Sequence, residues 1–228
     1  MESMRLFVMM TRGEDRFYSF EIARGYCDGK YRFCRRCFVN RDILKVISPY
    51  EADFYEKNLI THQKNVARLC TKAAKYMDLE QESVSELIQA ALLHDIGKIF
   101  IPADVFMKDG RLSFDEYELV KYHAAIGALY LKIRGFPESI TDAVKHHHER
   151  YDGAGYPAGL KGDSIPFFAR ILAVCDAADA MLAGRYYRAP ISRKLVIDEL
   201  LKNSRSQFDP DVVKAVIPII SEEAVVNV

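Results

Sequence analysis

Two regimes of hydrophobic patterning divide the chain. Over residues 1–48 aromatic and β-branched residues alternate with polar ones, the two-residue period of a half-buried strand. Asp28-Gly29, between Tyr26-Cys27 and Lys30-Tyr31, adds a turn signal, and together they predict a small β-hairpin or meander. From about Asp53 the apolar positions recur three and four residues apart, which predicts helices. One is expected from about Asp53 to Met77 and a second from about Glu82 to His94-Asp95, where Gly97 interrupts the pattern. Ser113 with Glu116 forms a capping box for a third helix, whose apolar spacing continues to Ile133 before Gly135 and Pro137. Pro137 opens a short helix that ends in His146-His147-His148. Glu149 to Pro166 holds four glycines and two prolines, too many breakers for a helix, and an ordered loop of that length is usually functional. Pro166 and Gly184 suit the start and stop of the next helix. Another begins near Ser192, and the last at Asp209-Pro210, an N-cap and first-turn pair followed by Val212, Val213, Val216 and Ile217. The expectation is a mainly α protein: a helical bundle domain over 49–228 with a β-rich appendage over 1–48.

Composition narrows the class. The 228 residues are 50% hydrophobic and 28% charged, enough for one sizeable core without crosslinks. With 32 basic and 32 acidic residues the net charge is zero, which argues against a non-specific partner such as polymeric nucleic acid or an anionic membrane. The apolar stretch Met4 to Met10 is too short to be an h-region or a span, so a cytoplasmic protein is expected. Cys27, Cys34, Cys37, Cys70 and Cys175 are odd in number, which favours reduced thiols over a disulfide framework. The first three include a Cys-x-x-Cys pair but lack a fourth ligand nearby, which disfavours a zinc knuckle.

Histidine is the unusual resource. His62 shares a face with Leu59, Val66 and Leu69; His94 follows Leu87, Ala90 and Ala91; His123 sits between Leu119-Val120 and Ile126-Gly127. The stripe Ile140, Ala143, Val144 continues into His147 and His148, whereas His146 continues Asp142 and is expected at the edge. One inward histidine is ordinarily a core residue bonded to a carbonyl. Five in one domain would each bury nitrogens that cost on the order of 1–3 kcal/mol when unsatisfied, and neutral imidazoles cannot all satisfy one another. A metal centre resolves the conflict. Asp95 and Asp176 add carboxylates on faces that otherwise read as core, more donors than one ion needs, so a carboxylate bridging two ions is the natural arrangement.

His94-Asp95-Ile96-Gly97-Lys98 resembles the signature of HD-domain phosphohydrolases, and His147-His148-Glu149 with Asp152-Gly153 and Gly155-Tyr156-Pro157 resembles the HD-GYP subfamily, bacterial phosphodiesterases that hydrolyse cyclic di-GMP. The likeness extends from about Asp53 to about Ile220. It implies an HD-type helical bundle in which His62, His94, Asp95 and Asp176 hold one metal ion and His123, His147 and His148 a second, with Asp95 bridging. It also implies that Lys98 lies near the scissile phosphate, that Arg185 and Arg188 contact phosphate, and that the loop carrying Tyr156 and Pro157 shapes the substrate groove and meets protein partners. Tyr186 and Ala124 stand where the family usually has proline. The third ion of some family members is held by a glutamate four residues before the first histidine; here that residue is Asn58, and Glu56 falls roughly 120° off the His62 face. A two-ion centre is therefore expected, with iron or manganese suiting its histidines better than magnesium. The expected product is linear pGpG, with GMP a further one, and oligomers are compatible with the sequence. The alternatives are a catalytically weak HD-GYP module that binds nucleotide, and another HD-type nucleotide phosphohydrolase.

Overall fold

The computed structural model describes residues 60–106, 108, 110–183 and 190–222, together with two short strands near the N-terminus. The chain divides into two units, Met1–Glu56 and Lys57–Val228. In the first, β1 (Leu6–Phe7) pairs antiparallel with β2 (Ser19–Phe20), Leu6 opposite Phe20. The turn expected at Asp28-Gly29 and the three N-terminal cysteines lie outside the described residues.

The described residues of the second unit are mainly helical. Its described elements are α1 (Thr61–Tyr76), α2 (Gln81–Leu93), a 3-10 turn (Ile96–Phe100), α3 (Ala103–Phe106), α4 (Phe114–Ile133), α5 (Glu138–His146), a second 3-10 turn (Gly162–Ser164), α6 (Phe167–Ala183), α7 (Arg193–Lys202) and α8 (Pro210–Glu222). Local chemistry sets the starts. The Ser113 hydroxyl accepts from the Glu116 amide at 3.2 Å while the Glu116 carboxylate accepts from the Ser113 amide at 2.7 Å, the reciprocal box read from the sequence. Ser192 caps α7, and Asp209 Oδ1 accepts from the amides of Asp211 and Val212 to cap α8. The portion of the first helix expected upstream of Ile60, including Glu56 and Asn58, lies outside the described residues, as do Gly184, Arg185 and Arg188.

Two apolar clusters hold the bundle. The larger joins α1, α2, α6, α7 and α8 through Val66, Leu69, Leu87, Ile171, Leu172, Val196, Leu200, Val212 and Val216. The smaller joins α2, α4 and α5 through Ala90, Leu93, Ala128, Leu131, Ile140 and Val144. One close crossing depends on glycine: a Cβ on Gly97 would overlap the His123 carbonyl oxygen, and one on Gly127 would come within 3.0 Å of the Gly97 nitrogen. The turn that follows His94-Asp95 is thereby pressed onto α4 beside His123. Among the described residues no helix is long and apolar enough to cross a membrane. Cys70 and Cys175 are buried, free thiols.

Candidate metal centre

Five helices deliver the donors: His62 from the first turn of α1, His94 from the C-terminal cap of α2 with Asp95 just beyond, His123 from the middle of α4, His147 and His148 from just past the end of α5, and Asp176 from α6. His94, Asp95, His123 and His147 are almost completely buried; the side chains of His62 and Asp176 are 15% and 14% exposed.

The rings are oriented by their outer nitrogens. Nδ1 of His94, His123 and His147 lies 2.8, 2.6 and 2.7 Å from the carbonyl oxygens of Ala91, Val120 and Val144, each three residues back. A carbonyl only accepts, so each Nδ1 carries the hydrogen and each Nε2 turns a lone pair inward. Those lone pairs converge: Nε2 of His123 is 3.5 Å from Nε2 of His147 and 3.2 Å from Nε2 of His148. Nε2 of His94 is buried without a hydrogen bond; so is Nε2 of His62, which lies 2.9 Å from Asp176 Oδ1 without the alignment a hydrogen bond needs.

Such inward lone pairs beside carboxylates fit a divalent cation. Among the described residues, ligand atoms within 4.8 Å of one another form three such sets: His62, His94 and Asp176; His123, His147 and His148; and His94, Asp95 and His147, which spans the other two. Asp95 faces both sides, with Oδ2 3.4 Å from His94 Nε2 and Oδ1 3.4 Å from His123 Nε2.

Protonation suits the same role. Burial pushes His123 and His147 below the usual imidazole range and His148 down to about 3, against the upward pull of Asp95 and Asp176, so all three are neutral donors at neutral pH. Burial opposes ionisation of Asp95, yet Lys98 and His94 hold it well below the usual carboxylate range; for Asp176 the adjacent His62 imidazole does the same. His62 behaves oppositely. Burial lowers its pKa, but Asp176 and Asp179 outweigh that and raise it to about 9.

Around this cluster, Lys98 Nζ donates to Asp95 Oδ2 at 2.5 Å. The Tyr156 ring leans on His148 with centroids 4.9 Å apart, and Lys121 Nζ lies 5.6 Å from the Tyr156 centroid. Asp152 pairs with Arg150 and caps the Ala154 amide, a structural engagement within the loop. Gly153 has a φ of 87°, the left-handed conformation glycine accepts without strain, and a Cβ on Gly155 would strike the backbone of Glu149 and Arg150. Pro157 follows a cis peptide bond.

One expectation is corrected. His146 is not at an edge but buried, 7% exposed, with Nδ1 3.3 Å from Glu149 Oε1. The face assignment rested on helical phase alone, but α5 ends at His146 and the chain turns there, which brings Glu149 against it. Two buried carboxylates carry roles that the sequence does not assign them. Glu149 accepts from the amides of Ala158 at 2.7 Å and Leu160 at 3.1 Å and so ties down the loop; Asp179 lies 2.7 Å from Nδ1 of His62. The spacing of Asp179, three residues after Asp176 on one helix, was the available signal for it.

The HD domain family matches residues 50–212, and the chain belongs to this family. A probable cyclic di-GMP phosphodiesterase of Vibrio cholerae is 38% identical over 161 residues, 67% of this chain and 36% of that protein. A cyclic di-GMP phosphodiesterase of Thermotoga maritima is 35% identical over 183 residues, 79% of this chain and 49% of that protein. The chain thus spans half or less of the length of these relatives. An HD-GYP-type protein of Bdellovibrio bacteriovorus has the same fold, with a TM-score of 0.61 over 72% of this chain and 53% of that one at 19% identity.

Proposed function

We propose that residues 49–228 are a phosphodiesterase domain that hydrolyses cyclic di-GMP to linear pGpG, with residues 1–48 as an appendage. The observation that carries this reading is the pair of inward-facing donor sets with Asp95 between them, one oxygen toward each. Two divalent transition ions, iron or manganese, would be held there by His62, His94, Asp95 and Asp176 and by His123, His147, His148 and Asp95, and would supply hydroxide near neutral pH and offset negative charge on phosphorus. The kinship with proteins named as cyclic di-GMP phosphodiesterases supports the choice of substrate.

The chain's own residues complete the site in this reading. Lys98, next to Asp95, brings a cation to the place where a phosphodiester would lie, and Arg185 and Arg188 supply further phosphate contacts. Tyr156, braced on His148, offers an aromatic face to a nucleobase. Carbonyl-locked rings need no reorientation as charge develops, which is where preorganised sites gain rate.

The test is to purify the protein anaerobically, quantify its metal, and follow cyclic di-GMP, pGpG and GMP over time before and after stripping and reloading. Loss of cyclic di-GMP that depends on metal, with pGpG accumulating ahead of GMP, is expected. A metal-loaded protein that leaves cyclic di-GMP intact would overturn the assignment in favour of a nucleotide-binding module.

A further inference from the structure

Asp179 is a buried carboxylate, 4% exposed, one turn beyond Asp176 on α6, and its Oδ2 lies 2.7 Å from Nδ1 of His62. His94, His123 and His147 secure their Nδ1 hydrogens on backbone carbonyls of their own helices. His62 has a charged acceptor from a different helix. We propose that Asp179 is a positioning residue for the metal position formed by His62, His94 and Asp176, and that it makes this position the tighter of the two; the proposal rests on the two-ion reading above.

Two consequences of the contact carry it. A carboxylate on Nδ1 holds a hydrogen there, so the proton a cation displaces is the one on Nε2, on the side of Asp176, and an imidazole bonded to an anion is a stronger donor than one bonded to a neutral carbonyl. The charges around the two positions also differ. Near the first lie Asp176, Asp179 and the Oδ2 side of Asp95, and the Lys98 ammonium offsets only one of these negative charges. Near the second lie three imidazoles and the Oδ1 side of Asp95. The first position therefore fills first, and the second is the exchangeable one.

The test titrates Mn²⁺ into the metal-stripped full chain, reading free Mn²⁺ by electron paramagnetic resonance. The wild type should show two classes of site differing at least about tenfold in affinity, and Asp179→Asn should weaken the tight class by about 10- to 100-fold, the range typical of outer-shell partners, while leaving the weak class unchanged. In Zn²⁺-loaded protein, ¹⁵N-resolved spectra of the His62 ring should show hydrogen on Nδ1 in the wild type. Wild-type sites of equal affinity would overturn the proposal without any variant, as would an Asp179→Asn protein that weakens both classes equally or neither. These outcomes are independent of turnover. Ordered metal loading without cyclic di-GMP hydrolysis would defeat the functional reading alone, and hydrolysis with equal sites would defeat this one alone.

Discussion

Oδ1 of Asp95 stands 3.4 Å from Nε2 of His123, and the other oxygen of the same carboxylate stands 3.4 Å from Nε2 of His94. One side chain thus addresses both donor sets, and its anionic charge offsets part of the mutual repulsion of two cations. Asp95→Ala should lower the affinity for both ions by more than the roughly 10- to 100-fold typical of an outer-shell partner. Elemental analysis of the purified variant checks this; two retained ions would contradict a bridging role.

Gly97→Ala should disturb the same site without touching a ligand. The added methyl meets the His123 carbonyl oxygen, so either α4 or the turn must shift. Overpacking of this kind costs about 1–3 kcal/mol, and each kcal/mol lowers Tm by about 2–4 °C in a domain of this size. Thermal melting of the metal-free protein should show that loss, and metal content should fall with it because His123 moves.

Glu149 ties the Tyr156 loop to the end of α5. Glu149→Ala leaves the Ala158 and Leu160 amides without acceptors, at a cost of roughly 1–3 kcal/mol for each group that stays buried. Hydrogen exchange should accelerate at those two amides while the cores of α2 and α6 keep their protection. His146→Ala removes the remaining partner of Glu149, and metal content should stay nearly intact, since His146 belongs to none of the described donor sets.

Acid and alkali should both destabilise the metal-free protein, for opposite reasons. His123, His147 and His148 have folded pKa values below their ordinary 6.5, so below about pH 6.5 the unfolded chain binds more protons and stability falls with falling pH. His62, raised to about 9, holds its proton longer in the folded state, so its contribution is complete below 6.5 and is lost as pH rises toward 9. Between pH 5 and 7 the three outweigh the one. Urea unfolding at pH 5, 7 and 9 should therefore give its highest midpoint at 7.

Much of this was legible in the sequence because it is local. The Ser113–Glu116 box, the Ser192 cap and the Asp209-Pro210 start involve residues within three positions of one another, and the structure has all three. The inward faces of His94 and His123 follow from helical period. What escaped depends on distant partners or on a helix end. Asp179 is meaningful because α1 brings His62 against α6, and the two residues are 117 positions apart. His146 was misplaced because it is the last residue of α5 and meets the buried Glu149 carboxylate where the chain turns, a partner that helical phase does not show. The Gly97–Gly127 approach could be seen in neither glycine alone, since each matters only where the turn crosses α4.

Anomalous diffraction from manganese-loaded crystals tests the two-ion centre most directly. Two strong peaks are predicted, one among His62, His94 and Asp176 and the other among His123, His147 and His148, with Asp95 between them, because Asn58 offers no carboxylate for a third ion. A single peak, or three of comparable strength in the wild type, would contradict the account.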